Sequence, residues 1–152
     1  PRLMSYESLA EGGFATGTMM GSGGFIAFDE DQCIVRNTWN FARFYHHESC
    51  GQCSPCREGT GWMEKILHKI EYGHGTSADI DLLWDVQRKI EGNTICPLGD
   101  AAAWPVARAI RHFREEFEWH VKEPNKSQTQ NYGIANYANP IEKAVEVKQD
   151  NL

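Results

Sequence analysis

The sequence lacks the features that mark membrane, secreted and nucleic-acid-binding proteins. No run approaches the roughly 20 apolar residues that a membrane-spanning helix requires, and no basic segment precedes an apolar one at the N-terminus. Basic residues are few, because 15 Lys and Arg stand against 21 Asp and Glu, a net charge of -6. Such a surface repels phosphate backbones, so we do not expect nucleic-acid binding. Because no apolar run is long enough, we do not expect direct membrane insertion either.

The chain also lacks an even number of cysteines. Five cysteines leave one over in any closed disulfide framework, and with no sign of secretion a reducing compartment is expected. Metal or redox chemistry then becomes the reason for the cysteines. The length of 152 residues and the 41% apolar content suit one domain with a core. Because the sequence starts at Pro1 without an initiating Met, we expect a piece of a longer protein.

Residues 1–36 indicate turns and short strands, with "GFIAF" and "CIV" as apolar runs on either side of an acidic turn. The stretch "GTMMGSGG" lacks the spacing of both known phosphate-binding glycine loops, and no Lys follows it. A structural turn is therefore favoured over a phosphate cradle.

From residue 37 the apolar spacing becomes helical. Asn37 or Thr38 is the expected cap of a first helix, whose aromatic face packs in a core or, alternatively, stacks on a flat cofactor. A second helix follows the cysteines and stops at Gly73, and a third starts at Ser77. Residues predicted to face inward on these three helices are Trp39, Phe41, Ala42, Phe44, Tyr45, Trp62, Met63, Ile66, Leu67, Ile70, Ile80, Leu83, Trp84 and Ile90.

A fourth helix follows "CPLGD", with Pro105 expected in its first turn. Its inward residues are predicted to be Val106, Ile110, Phe113, Phe117 and Val121. Short links between the four helices predict a small antiparallel bundle, and hence a mainly α fold. The polar residues 123–152 cannot form a core of their own, and we expect a tail that is disordered or laid along a partner.

Cys50, Cys53 and Cys56 form C-x2-C-x2-C, and Cys96 follows directly before Pro97. A redox dithiol would leave the third thiol without a role. Structural zinc usually takes cysteines in two separated pairs, or adds histidines at fixed spacing. Three closely spaced cysteines with a distant Cys-Pro are typical of a [4Fe-4S] cluster. We favour this interpretation, and zinc remains the alternative.

Residues around the triplet support a site with negative charge. Backbone N–H groups at helix starts and near Gly51, Gly59 and Gly61 can hydrogen-bond such a site. Arg57 is either a charge-compensating neighbour or an ordinary surface residue, and the two interpretations are equally supported. His46 and His47 are expected at a solvated helix end, and Cys33 is expected to pack as a small hydrophobic residue.

"ESCGQCSPCREGTGW" and "GNTICPLGDAAAWPVARAIRHFREEFE" resemble the C-terminal part of the flavoprotein, NADH-binding subunit of respiratory complex I, the NADH:quinone oxidoreductase. The resemblance runs from about residue 4 to about residue 121. It implies one [4Fe-4S] cluster on Cys50, Cys53, Cys56 and Cys96, and no acid–base catalytic residue. It also implies a helical cluster domain over 37–122, after the end of a β-grasp domain over 1–36.

In that family NADH and FMN are bound by an N-terminal Gly-rich domain, which this sequence does not contain, so no residue here is assigned to either. The resemblance implies electron transfer to other iron-sulfur subunits of the peripheral arm, on the cytoplasmic or matrix side of the membrane. Diaphorase subunits of NAD-linked hydrogenases and formate dehydrogenases share the pattern and remain an alternative. The alternative from another functional class is a zinc-stapled interaction module, in which zinc holds the cysteine loop together and the helices bind a partner without redox activity.

Overall fold

A computed structural model describes residues 24–28 and 32–123 of the chain. Within them the architecture is helical: α1 spans Ile34–Glu48, α2 Ser54–Glu71, α3 Ser77–Ile90 and α4 Leu98–Lys122. Helices α1 and α3 each pack on both α2 and α4, and α2 also packs on α4. The mainly α, four-helix prediction is confirmed. The expected tail lies outside the described residues, apart from its first residue, and so does most of the expected β-grasp segment.

The core lies between the four helices. Each helix contributes apolar residues spaced three or four apart, so that one stripe faces inward. The fully buried apolar side chains include Val35 from α1, Met63, Leu67 and Ile70 from α2, Ile80, Leu83 and Ile90 from α3, and Val106 and Phe117 from α4. Most of the predicted inward residues therefore occupy the core.

Two predicted core aromatics are instead exposed. Phe44 on α1 is 57% exposed and Trp62 on α2 is 54% exposed. Trp39 is partly buried against the core, with its ring edge-on to His68 and Tyr72 at centroid distances of 5.4 and 5.8 Å. The predicted aromatic face is thus only partly buried. The aromatic residues of α1 point in more directions around the helix than the neighbouring helices cover.

The start of α1 differs from the sequence prediction. The helix begins at Ile34, and the cap is Cys33, whose Sγ accepts from the Arg36 backbone N–H at 3.3 Å. The "CIV" run is therefore a helix start rather than a strand, and residues 24–28 have no regular secondary structure. Thr38, one of the two predicted caps, instead donates its hydroxyl to the Ile34 carbonyl at 2.7 Å from within the helix. A short β-branched apolar run does not by itself distinguish a strand from a buried helix turn.

The start of α3 is fixed by a capping box. The Thr76 side chain accepts from the Asp79 backbone N–H, and the Asp79 carboxylate accepts from the Thr76 backbone N–H at 2.7 Å. The cap thus lies one residue before the predicted Ser77. The predicted stop at Gly73 suits the structure, since its φ of 74° follows the C-cap Tyr72 of α2.

Pro105 does not lie in the first turn of its helix. Because α4 begins at Leu98, with the Ala101 backbone N–H bonded to the Pro97 carbonyl at 2.9 Å, Pro105 falls in the helix interior. The backbone departs from helical geometry further along, at Phe113, where φ is -131° and ψ is 27°. Phe113 is half-buried at this break, and Phe117, one turn further on, is fully buried.

None of the helices in the described ranges is long and apolar enough to cross a membrane.

Candidate metal centre

The loop between α1 and α2 carries the cysteine triplet. Cys50 is exposed in the loop, Cys53 is the N-cap of α2, and Cys56 is buried in the first turn of that helix. Gly51 has a φ of 80°, which glycine adopts without steric cost, and this allows the chain to turn between the first two cysteines. The Ser49 hydroxyl lies 3.2 Å from Cys56 Sγ, a contact that the sequence did not predict.

Cys96 lies in the loop between α3 and α4, directly before Pro97, the N-cap of α4. The preceding residue bridges the two loops, since the Ile95 backbone N–H points to Cys53 Sγ at an N–S distance of 3.5 Å. The Thr94 hydroxyl donates to the Cys96 carbonyl at 2.9 Å and supports this loop. The structure therefore brings the segment of the distant cysteine against the triplet, although 39 residues separate Cys96 from Cys56.

Two helix N-termini meet at these loops. Cys53 caps α2 without a side-chain hydrogen bond to its first turn, and Pro97 caps α4 in the same way. The backbone N–H groups of a first helical turn have no partner within the helix and carry partial positive charge. This arrangement favours anionic sulfur at the junction.

Arg57 belongs to the loop. Its guanidinium donates to the Gly51 carbonyl at 2.9 Å and to Glu58 at 2.7 Å, and its side chain is 48% exposed. The residue thus ties the turn at Gly51 and holds a positive charge beside the cysteines, which favours the charge-compensating interpretation. His46 and His47 are exposed at the end of α1, as predicted, and His46 Nδ1 lies 2.5 Å from the Glu64 carboxylate.

Gly59 and Gly61 serve helix packing rather than the site. A Cβ at Gly59 would lie 2.7 Å from Ile90 Cδ1, and one at Gly61 would lie 3.0 Å from His46 Nε2. These two glycines let α3 and α1 approach α2 closely. The structure thus gives Gly59 and Gly61 a packing role, and only Gly51 of the three glycines lies in the loop.

No three of the four sulfur atoms lie as close together as the ligands of a single ion. Within residues 24–28 and 32–123, no three of them lie mutually within 4.8 Å. Thiolates on one tetrahedral zinc ion are about 3.8 Å apart, given Zn–S bonds of about 2.3 Å.

A second group of potential ligands lies at the opposite ends of the helices. Cys33, Glu71 and His120 have ligand atoms within 4.8 Å of one another, and Glu116 lies next to them. Burial raises the pKa of Glu71 to about 7 and also raises the pKa of Glu116. Burial likewise raises the pKa of the Cys33 thiol well above its ordinary range and lowers the pKa of His120.

No sequence pattern indicated this second group. Its members are 38 and 49 residues apart in the chain, and each alone resembles a core or surface residue. Cys33 is not the simple hydrophobic residue that we expected, because its sulfur caps α1 and contacts two ionisable groups.

Comparison with known proteins identifies the family. Residues 36–120, more than half of the chain, match the family described as the NADH-ubiquinone oxidoreductase-F iron-sulfur binding region. The chain belongs to this family. The resemblance inferred from the two cysteine segments is thereby confirmed, and so is the expected [4Fe-4S] cofactor class of this iron-sulfur binding region.

Two curated relatives of this iron-sulfur binding region are subunits of NADH-quinone oxidoreductase. The chain is 43% identical over 127 residues to the subunit named F 1 of the Rhizobium meliloti enzyme, covering 84% of this chain and 28% of the relative. It is 48% identical over 119 residues to the subunit named F of the Rickettsia rickettsii enzyme, covering 78% and 27%. The chain thus spans less than a third of the length of these relatives.

Among solved structures, the chain is similar to the NAD+-reducing [NiFe]-hydrogenase in its H2-reduced state. The TM-score is 0.58 at 30% identity, covering 82% of this chain and 20% of the hydrogenase chain. The air-oxidized state of that hydrogenase gives the same TM-score and identity.

Proposed function

We propose that Cys50, Cys53, Cys56 and Cys96 hold one [4Fe-4S] cluster. The observation that carries the proposal is the contact between the Ile95 backbone N–H and Cys53 Sγ, because it joins the two cysteine segments at one place. Three thiolates from one loop and a fourth from a second loop suit a centre with four iron corners.

The spacing of the sulfur atoms supports a cluster over zinc. Each thiolate of a cluster binds a different iron, so its sulfurs stand further apart than those on one ion. The absence of any three of these sulfurs within 4.8 Å, among the described residues, agrees with the larger centre. The zinc-stapled interaction module is therefore not favoured by this geometry.

When bound, a [4Fe-4S] cluster accepts and donates one electron at a time. The chain's own residues hold it and set its surroundings: Cys56 is buried, and Ile95 N–H and the Ser49 hydroxyl lie beside sulfur atoms. Hydrogen bonds to the sulfurs and nearby positive charge raise a cluster's potential. We assign no acid or base to catalysis, since electron transfer requires none.

We infer that the chain is the electron-relay part of an NADH-oxidising subunit of NADH:quinone oxidoreductase. The complete subunit would bind FMN and NADH, and this part would pass electrons to iron-sulfur subunits of the peripheral arm, on the cytoplasmic or matrix side. The names of relatives 43% to 48% identical support this function. Cys50 and Cys96 are exposed, so the site lies where a partner subunit can approach.

A diaphorase subunit of an NAD-linked hydrogenase is the second candidate. The structural likeness to the NAD+-reducing hydrogenase supports it, but at the lower identity of 30%. Identification of the subunits that copurify with the chain in its native complex separates the two candidates, because a hydrogenase partner would carry nickel.

The ligand assignment is tested by replacing single cysteines. In Cys53→Ser and Cys96→Ser, iron per chain and the EPR signal of the reduced cluster should fall strongly, because a cluster with one weak ligand is labile. Cys33→Ser is the matched control and should keep both, since Cys33 lies in the other ligand group. Full iron content and an unchanged EPR signal in Cys96→Ser would refute the assignment.

A further inference from the structure

The second ligand group joins the ends of three helices. Cys33 caps the start of α1, Glu71 is the last residue of α2, and His120 lies near the end of α4. The distances are 3.3 Å from Cys33 Sγ to His120 Nε2, 3.7 Å from Cys33 Sγ to Glu71 Oε2, and 3.5 Å from His120 Nε2 to Glu71 Oε2. Glu71 and His120 are only 3% and 1% exposed.

The imidazole of His120 is oriented as a ligand. Its Nδ1 lies 2.9 Å from the Glu116 backbone carbonyl. A carbonyl oxygen only accepts hydrogen bonds, so Nδ1 carries the proton and the neutral ring presents the Nε2 lone pair to Cys33 and Glu71. Ligating histidines in metal sites commonly have this bond from the other ring nitrogen to a carbonyl, which fixes the tautomer and the ring orientation.

Cys33 Sγ hydrogen-bonds with both His120 Nε2 and Glu71 Oε2, but no hydrogen bond joins His120 to Glu71. The Nε2–Oε2 distance of 3.5 Å exceeds the 2.7–3.2 Å of an ordinary bond between these atom types. Zinc bonds of about 2.3 Å to sulfur and about 2.0–2.2 Å to nitrogen and oxygen give tetrahedral edges of about 3.6, 3.4 and 3.6 Å for the S–N, N–O and S–O pairs. The three observed distances each lie close to these edges.

A buried oxygen next to the group also has no partner. Glu116 is 2% exposed, and its Oε1 accepts from the Ile34 backbone N–H at 2.7 Å. Its Oε2 is buried without a hydrogen bond of ordinary geometry, although the Cys33 thiol lies close enough to act on the carboxyl group. A buried acceptor without a partner is costly, and a cation, or a water molecule bound to one, would satisfy it.

The charge around the group points the same way. Two carboxyl groups and a thiol are held together, and Arg36 is the cation that acts on Glu71. A divalent ion would compensate this acidic group, and the Arg36 backbone N–H already donates to the Cys33 sulfur.

We propose that Cys33, Glu71 and His120 bind one zinc ion, at a site separate from the four-cysteine centre. The mixed sulfur, nitrogen and oxygen donors suit zinc. Cys33 is only half-buried, and a water molecule would take the fourth position of the tetrahedron. On binding, the thiol proton leaves to solvent and the thiolate forms the bond to zinc. The ion clamps the start of α1 to the ends of α2 and α4.

The test measures zinc in the full chain with its iron-sulfur cluster. The protein is purified anaerobically, incubated with zinc sulfate and dialysed against a weak chelator. Zinc and iron are then counted per chain by mass spectrometry, and the zinc K-edge X-ray absorption spectrum gives the donor set without interference from iron. We expect one zinc per chain, with one sulfur neighbour and the rest nitrogen or oxygen.

Two variants locate the ion. Cys33→Ser removes the thiolate and retains an oxygen that can cap α1, so it should lose at least nine-tenths of the zinc and keep its iron. Cys53→Ser should lose iron and keep its zinc. Circular dichroism of each variant checks that the helices are intact.

Three results would overturn the proposal. Zinc that is removed from the wild-type chain by the weak chelator is an adventitious ion only. Zinc retained in full by Cys33→Ser lies elsewhere. A spectrum with three or four sulfur neighbours places the zinc on the other cysteines, whatever the folding of the variants.

Discussion

Replacement of Arg57 with Leu should lower the potential of the bound cluster. The guanidinium lies 2.9 Å from the Gly51 carbonyl, next to Cys50 in the chain. Since consecutive Cα atoms are 3.8 Å apart, we take roughly 7 Å as the distance between the charge and the site. A positive charge at this distance favours the reduced cluster, which carries one more negative charge than the oxidised one.

The size of the shift follows from Coulomb's law. Two unit charges roughly 7 Å apart interact by about 2.4 kcal/mol at an effective dielectric constant of 20, and by about 0.6 kcal/mol in bulk water. The Arg57 side chain is 48% exposed, and Glu58 offsets part of its charge, so the lower third of this range applies. About 0.6–1.2 kcal/mol corresponds to a fall of about 25–50 mV for a one-electron couple.

The assay is a redox titration followed by the EPR signal of the reduced cluster. Arg57→Lys is the matched control, because it keeps the positive charge while weakening the tie to the Gly51 carbonyl. The potential of Arg57→Lys should stay within about 10 mV of the wild type, because the charge stays at a similar distance. An unshifted Arg57→Leu would show that the charge is screened from the site. Equal shifts in the two variants would mean that loop distortion is the cause, and either result refutes the reasoning.

Two further predictions concern the helices. Asp79→Asn should lower the free energy of unfolding by about 1–2 kcal/mol in a denaturant titration, since Asp79 completes the capping box with Thr76 and accepts from Lys69 at 2.8 Å. Burial opposes ionisation of Asp79, but the Lys69 and Thr76 hydrogen bonds outweigh it and lower its pKa below 3.8. The stabilisation by Asp79 should therefore be full above pH 3.8 and lost as the pH falls through the lowered pKa. If the free energy of unfolding fell equally with acid in Asp79→Asn and in the wild type, this explanation would be contradicted. Gly59→Ala should lower the free energy of unfolding by about 1–3 kcal/mol, because the added methyl group overpacks against Ile90, and iron per chain should not change. The effect of Gly59→Ala should be smaller in a chain that also carries Ile90→Ala. Additive losses in the double variant, measured in the same titration, would show that the two side chains do not clash.

Features that depend on short stretches of chain could be predicted from the sequence. The C-x2-C-x2-C spacing indicates a shared site because two residues between thiols keep them near one another whatever the rest of the chain does. The helices were predictable for a similar reason, since apolar residues three and four apart lie on one helix face. Errors at this level were local: Cys33 as the cap of α1, and Pro105 inside α4 rather than in its first turn.

The remaining features depend on how the helices pack. Glycine spacing does not show that Gly59 faces Ile90, because that contact exists only once α2 and α3 are packed together. Likewise the exposure of Trp62 follows from which part of α2 its neighbours leave uncovered.

The sequence by itself determined the triplet of cysteines, the helical character of the chain and its family, since all three reside in local spacing and residue order. Only the tertiary structure decided that Ile95 brings the segment of Cys96 to Cys53, and that Cys33, Glu71 and His120 meet. The physical reason is that residues tens of positions apart have no fixed separation until packing of the four helices sets it.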